Sequence, residues 1–362
     1  DGDLDLVVAG WDGSQRITKI YRNDGGGTFT NIGAGLTGVE RCSVAWGDYD
    51  NDGDLDLVVA GWDGSQRITK IYRNDGGGTF TNIGAGLTGV DRCSVAWGDY
   101  DNDGDLDLVV AGTINGSEYI TKIYRNDGGG IFTDIGASLT SVCSVAWGDY
   151  DNDGDLDLLL AGNDIIILYK NDSDGNFVAD GELGGIRQTD IDWGDYDNDG
   201  DLDLLIAGYT GGGYMTKIYR NDGGGTFTGI NAGLIGVRHC SVAWGDYDND
   251  GDLDLVVAGD DGTLLSTRIW RNKRFDIIKD GLPNDITYIS YISNMGESPL
   301  GTGLYKFKYK ICDNESDRAR IVRVQYSADK KYWQDGIVSG DLDNITTSTE
   351  GETHYFIWDS SV

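Results

Sequence analysis

Hydrophobic and polar residues alternate along this chain in short runs, each cut off by glycine, asparagine and aspartate. Residues 42–47 (CSVAWG), 54–60 (DLDLVVA), 67–73 (RITKIYR) and 79–84 (TFTNIG) each read as a strand. The breaks between them are turn chemistry: Asp-Asn-Asp-Gly, then Gly61–Gly64, then Asn74–Gly78. No stretch carries a helical period. Four short strands followed by the same four again predict a sheet-only unit used repeatedly.

The repetition is explicit. The stretch WGDYDNDGDLDL occupies residues 46–57 and returns, nearly unchanged, at 97–108, 147–158, 193–204 and 244–255. Residues 1–51 and 52–102 differ only at Glu40 against Asp91. A four-stranded unit of about 40–50 residues is the signature of a β-propeller blade, and a parallel β-helix needs much shorter coils. The expected fold is all-β. Six repeat units form a propeller of four-stranded blades over residues 1–284, the first lacking its inner strand and the other five intact. The chain opens inside a motif, so it is expected to be a fragment. The pattern stops near Asn284. Residues 285–362, with strands expected at 286–292, 304–311, 319–326 and 354–358, read as a smaller β-sandwich, also cut short. In the alternative, 286–292 closes the propeller.

Composition sharpens this picture. Among 362 residues there are 57 glycines and 2 prolines, as many tight turns require, and 61 acidic against 28 basic residues give a formal charge of −33. Such a charge is repelled by nucleic acid and by anionic lipid, which sets both aside as partners. No apolar run reaches the length of a membrane span.

The placement of the acids matters more than their number. Counting from Asp48, carboxylates stand at positions 1, 3, 5, 7 and 9 with Gly53 at position 6, where the chain must turn sharply. Oxygen ligands in this series suit calcium, as in the first part of an EF-hand loop, although position 12 is Val59 in a strand. A polar hairpin turn would explain one copy; five copies point to a cation. Magnesium, which takes fewer protein ligands, comes second. The candidate ligands are Asp48, Asp50, Asp52, Asp54 and Asp56; Asp99, Asp101, Asp103, Asp105 and Asp107; Asp149, Asp151, Asp153, Asp155 and Asp157; Asp195, Asp197, Asp199, Asp201 and Asp203; and Asp246, Asp248, Asp250, Asp252 and Asp254. Position 7 is expected to offer its backbone carbonyl. Position 9 should close the site from the second strand, with Leu55 and Leu57 entering the core. About five calcium ions would offset ten of the negative charges.

WGDYDNDGDLDLVVAG followed by TKIYRNDGGGTF resembles the FG-GAP-like (VCBS) repeats of secreted bacterial proteins, which are similar to the integrin α-subunit propeller with its DxDxDGxxD loops. The likeness covers residues 1 to about 280. The Phe-Gly and Gly-Ala-Pro tripeptides of the integrin version are missing, so integrin-type partners do not carry over. The resemblance implies a seven-bladed propeller outside the cell or on its surface, in adhesion, carbohydrate binding or large multidomain proteins. Residues 304–334 resemble an Ig-like or fibronectin III-like module.

Other constellations carry less. Cys42, Cys93, Cys143 and Cys240 hold one equivalent position, one per blade, with no CxxC for zinc and no expected disulfide. Cys312 lies in the other domain. His239 takes the slot of Arg41 and Arg92, read as an exposed loop position. The glycine runs lack the Lys-Ser/Thr of a phosphate-binding loop. The connection between the second and third strands varies while the strands do not, and it lies opposite the acidic loops. Its aromatic residues, Trp11, Trp62, Tyr119, Tyr209 and Tyr214, form the candidate ligand face, where rings could stack on sugars. The expected function is a non-catalytic, calcium-stabilised scaffold binding a glycan or an extracellular protein, joined to other domains of a larger chain. The alternatives are an accessory domain of a secreted polysaccharide-degrading enzyme, or a lectin.

Overall fold

This computed structural model describes residues 4–172, 175–249 and 251–272 in full, and beyond them only short stretches of strand backbone. The chain divides into two compact units, Asp1–Arg271 and Asn272–Val362. The sandwich expected over 285–362 falls outside the fully described residues.

The first unit is a six-bladed β-propeller, one blade per repeat, and no helix occurs among the described residues. The second blade shows the plan: inner strand Glu40–Gly47, then Asp56–Trp62, Arg67–Asn74 and the short outer strand Phe80–Asn82, each antiparallel to its neighbour. The third, fourth and fifth blades repeat it, starting from Asp91–Gly98, Ser144–Gly148 and Arg187–Gly194. The first blade has three strands beginning at Leu6–Trp11, in line with its missing inner strand, and three strands of the sixth are described, ending at Leu265–Trp270. The outer strand expected for the sixth, and the seventh blade the resemblance implies, have no counterpart among the described residues.

The core lies between blades. The second strand of each interior blade is buried on both faces, so its run is continuously apolar. Leu57 and Val59 pack toward the first blade, Val58 and Ala60 toward the third, and all four are fully buried. Leu55 departs from expectation. The strand starts only at Asp56, which pairs with Gly47, and Leu55 is 54% exposed. Its counterparts Leu156 and Leu253 instead touch Gly98 and Gly194 of the preceding blade.

In four of the five motifs the glycine of the Trp-Gly pair forms an inter-blade joint. A Cβ on Gly47 would come within 2.6 Å of the Trp97 ring, and the same holds for Gly98 with Trp147 and Gly194 with Trp244, both at 2.7 Å. Trp97 Nε1 donates to Ala45 O at 3.2 Å, and its ring stacks on Tyr49 at 6.3 Å. The glycine provides the slot and the next blade's tryptophan fills it.

Four inner strands carry a break that the sequence did not disclose. Arg41, Arg92, Gln188 and His239 adopt left-handed backbone (φ 46 to 50°), and the register jumps across them, as between Glu40 and Ser43. These are β-bulges. His239 is exposed as expected, but it lies within the strand Arg238–Gly245 and not in a loop.

Candidate metal centres

Each acidic loop joins the inner strand to the second strand and curls through two left-handed residues, Asn51 (φ 57°) and Gly53 (φ 91°) in the second blade. The first aspartate holds the curl. Asp48 accepts the backbone N–H of Asp52 at 3.1 Å and of Gly53 at 3.0 Å, and Asp99 and Asp149 repeat both bonds. The fifth-position carboxylate is turned locally, with Asp52 accepting from Asp54 N at 2.9 Å. The ninth-position aspartate is fully buried and accepts two amides: Asp56 takes Asn74 N at 2.7 Å and Tyr49 N at 3.1 Å.

The result is a convergence of carboxylates at one point of every loop. Oxygens of Asp48, Asp50 and Asp56 lie within 4.8 Å of one another, as do those of Asp99, Asp101 and Asp107, of Asp149, Asp151 and Asp157, and of Asp246, Asp248 and Asp254. In the fifth blade the grouped residues are Asp195, Asp197 and Asp199. Positions 1, 3 and 9 thus meet in four loops and 1, 3 and 5 in one. Asp250 lies outside the described residues. The seventh position also links neighbouring loops through its side chain. Its carboxylate accepts from the position-4 asparagine of the preceding blade: Asn51 Nδ2 to Asp105 at 2.7 Å, Asn102 to Asp155 at 2.8 Å, Asn152 to Asp201 at 2.7 Å and Asn198 to Asp252 at 2.9 Å. These asparagines tie loop to loop around the face, and their fixed place before Asp-Gly was the signal in the sequence.

The electrostatics follow from crowding. Burial pushes Asp56 up to about 6 and Asp107, Asp157 and Asp203 up to about 7. Burial first, then the neighbouring carboxylates Asp52 and Asp48, raise Asp50; Asp101 is raised in the same way. Carboxylates that resist ionisation unless a positive charge arrives are a donor set suited to a hard divalent cation. The buried Oδ1 of Asp151 makes no hydrogen bond among the described residues. A bound calcium would supply charge compensation and crosslink the two strands; positions 1, 3 and 9 would hold it, with position 5 at hand.

The opposite face holds the candidate aromatics, mostly engaged already. Arg16 lies over Trp11 at 5.5 Å, Arg67 over Trp62 at 5.4 Å and Arg238 over Tyr214 at 5.1 Å, while Tyr209 meets Tyr214 edge-on at 6.0 Å. The arginines are also ion-paired, Arg67 with Asp91 at 2.6 Å and Arg16 with Glu40 at 3.0 Å. Trp11 is 53% exposed, while Trp62, Tyr119, Tyr209 and Tyr214 are half-buried. The four propeller thiols are unpaired, and burial pushes them up, Cys240 to about 12, so they are poor nucleophiles.

One pair of acids escaped the sequence reading. The fifth inner strand has Asp190 and Asp192 where the second has Ser43 and Ala45. Their carboxylates accept Val242 N and Trp244 N of the next blade, each at 2.9 Å, and burial raises both.

An antiparallel blade repeated around an axis, with an acidic hairpin loop at one end of every complete unit, defines a repeat propeller with candidate cation sites. The FG-GAP-like repeat model matches residues 1–59, 48–110, 99–160, 149–206 and 195–257, and the chain belongs to that family. No curated protein matches it. Among solved structures it is similar to an Agrocybe aegerita lectin described as specifically recognising non-reducing terminal N-acetylglucosamine, with 16% identity over 94% of this chain and 90% of that one, TM-score 0.47. A Lactobacillus plantarum protein shares 14% identity over 97% and 98% of the two chains, TM-score 0.46. A Schwanniomyces occidentalis fructofuranosidase complexed with fructose shares 10% over 88% and 93%, TM-score 0.38. At such identities and TM-scores these likenesses carry no argument about what this chain binds or does. No helix among the described residues is long and apolar enough to cross a membrane, which says nothing of β-barrels.

Proposed function

We propose that the chain is a calcium-stabilised, non-catalytic scaffold, working outside the cell or on its surface, that presents the face opposite its acidic loops to a glycan or an extracellular protein. The observation carrying this reading is the convergence of three carboxylates at the same point of five blades. Evenly placed charge clusters on one face serve the rigidity of the ring, and they leave the variable face for recognition. The formal charge of −33 supports a setting in which divalent cations are abundant. Millimolar calcium is typical of extracellular modules, whose dissociation constants run to roughly 0.1–1 mM. The test is thermal unfolding in calcium against excess chelator. A melting temperature that rises with calcium supports the reading, and superimposable curves refute it. A glycan array probed with the calcium-loaded protein then distinguishes a glycan from a protein partner.

A further inference from the structure

The five loops are alike in their acids but not in the cation that the chain itself brings to them. In the second and third blades the third strand ends in Tyr-Arg-Asn-Asp, and the arginine turns to the aspartate two residues on. Arg73 pairs with Asp75 at 2.6 Å and Arg125 with Asp127 at 2.7 Å. That aspartate also accepts from a threonine of the outer strand, Thr81 in the second blade, so the arginine is drawn to the outer edge of the blade. Asp50 and Asp101 are accordingly governed by burial and by neighbouring carboxylates, with the arginine a minor influence.

The fourth blade departs at both residues. Lys170 stands in place of the arginine, and Asp172 accepts from Asn176 N at 3.1 Å within its own turn. A lysine ammonium is a compact point charge on a flexible stem. Here it enters the acidic loop: Nζ donates to Asp151 and lies 3.0 Å from Asp153 Oδ2. Asp151 is one of the three residues that converge in this loop. The ammonium is therefore bonded to a carboxylate that a divalent ion would need. The sixth blade offers a parallel. Its sequence has Lys273 where Asp75 stands in the second, and Arg271 Nε lies 2.6 Å from Asp248 Oδ2.

We propose that Lys170 is a built-in substitute for the divalent cation of the fourth loop, so that this loop stays metal-free at calcium concentrations that fill the second and third. The inference rests on the reading of the loops as cation sites. A divalent ion entering the fourth loop must displace an ammonium bonded to two carboxylates. Charge-assisted bonds of that kind are roughly twice as strong as neutral ones, so binding there is weaker than in the second loop by about tenfold or more. The ring thus has a blade whose loop stays compensated when calcium falls.

The experiment counts calcium bound per chain by equilibrium dialysis at about 1 mM free ion, with folding checked by circular dichroism. It compares the parent with Lys170→Met, Asp151→Asn and Asp50→Asn. The expected result is a gain of about 0.4 of an ion in Lys170→Met, a loss of at most about half an ion in Asp151→Asn and the loss of about one ion in Asp50→Asn. An unchanged count in folded Lys170→Met, or the loss of an ion in Asp151→Asn, overturns the inference while leaving the other loops as cation sites. A parent that binds no calcium overturns the cation reading itself and the inference with it. Should Lys170→Met fail to fold, the contrast between Asp151→Asn and Asp50→Asn decides.

Discussion

Replacing Asn126 by alanine tests how the blades are joined. Asn126 is 2% exposed and sits at the end of the third strand of the third blade. Its Nδ2 donates to Tyr49 O of the second blade at 2.8 Å and to Leu106 O at 3.2 Å, and its Oδ1 accepts Gly128 N at 3.0 Å. Asn171 and Asn221 repeat the inter-blade bond, to Tyr100 O and Tyr150 O, both at 2.7 Å. Alanine leaves these partners without the side chain, and a buried polar group left unpaired costs about 1–3 kcal/mol. With the inter-blade bond buried and the other two part-buried, Asn126→Ala is expected to lose about 2–5 kcal/mol. Asn74 is the internal control, with bonds to Leu55 O at 3.2 Å and Gly76 N at 3.1 Å in a more exposed setting and no side-chain bond to another blade among the described residues. Asn74→Ala should therefore cost less by the inter-blade share, about 1–3 kcal/mol. The assay is urea unfolding followed by tryptophan fluorescence and far-ultraviolet circular dichroism, comparing midpoints at equal slope. Equal losses in the two variants, or a loss below about 0.5 kcal/mol for Asn126→Ala, would refute the argument that this bond couples the blades.

Calcium at about 1 mM, against sites of ~0.1 mM affinity, should add about 1.4 kcal/mol per occupied loop, read as a raised melting temperature that chelator reverses. The double change Asp190→Ser with Asp192→Asn keeps an acceptor for Val242 N and Trp244 N while removing two carboxylates whose ionisation burial disfavours. Because a raised carboxylate loses stability as pH climbs from the unfolded value of about 3.9 through the folded one, the variant should outlast the parent at pH 8 and match it below about pH 4. A gap that instead widens toward acid would show the sign to be wrong. Trp11→Ala with Trp62→Ala should weaken capture on a glycan array or by a protein partner while the rise in melting temperature on adding calcium is retained, since both rings lie on the face opposite the acidic loops and distant sites act independently; undiminished binding would move the recognition surface elsewhere.

The sheet-only repeat was legible because each blade states its own strands and turns, and the position of the acidic loops followed from their spacing. What the sequence hid was whatever depends on a neighbouring blade. Alternation places Leu55 in the core, yet it precedes the strand, and the first blade beside it has no described inner strand to offer the glycine that Leu156 meets at Gly98. The seventh-position aspartates are expected to offer backbone carbonyls; that their side chains also anchor the asparagines of the blade before is invisible within one repeat. Exposed-looking tryptophans turned out to carry arginines because Trp62 and Arg67 face each other across a turn and Arg67 is fixed by Asp91 of the following repeat. Lys170 was visible as a letter, but its reach into a loop some 19 residues earlier was not.

The first two repeats raise a problem of self-recognition. Residues 16–23 and 67–74 are the same octapeptide, RITKIYRN, and each pairs with an identical preceding strand, LVVAGW. Yet Leu57 is fully buried while Leu6 is 47% exposed. During folding, strand Leu6–Trp11 can zip onto either copy of its partner with the same local energy, and nothing in the hairpin itself penalises the wrong choice. Only later docking, Trp97 into its Gly47 slot and Asn126 onto Tyr49, distinguishes native from swapped arrangements. Such a chain is prone to slow, history-dependent refolding and to exchanging strands between molecules at high concentration. The same equivalence means that a blade can be duplicated or excised by recombination without any new interface having to be invented.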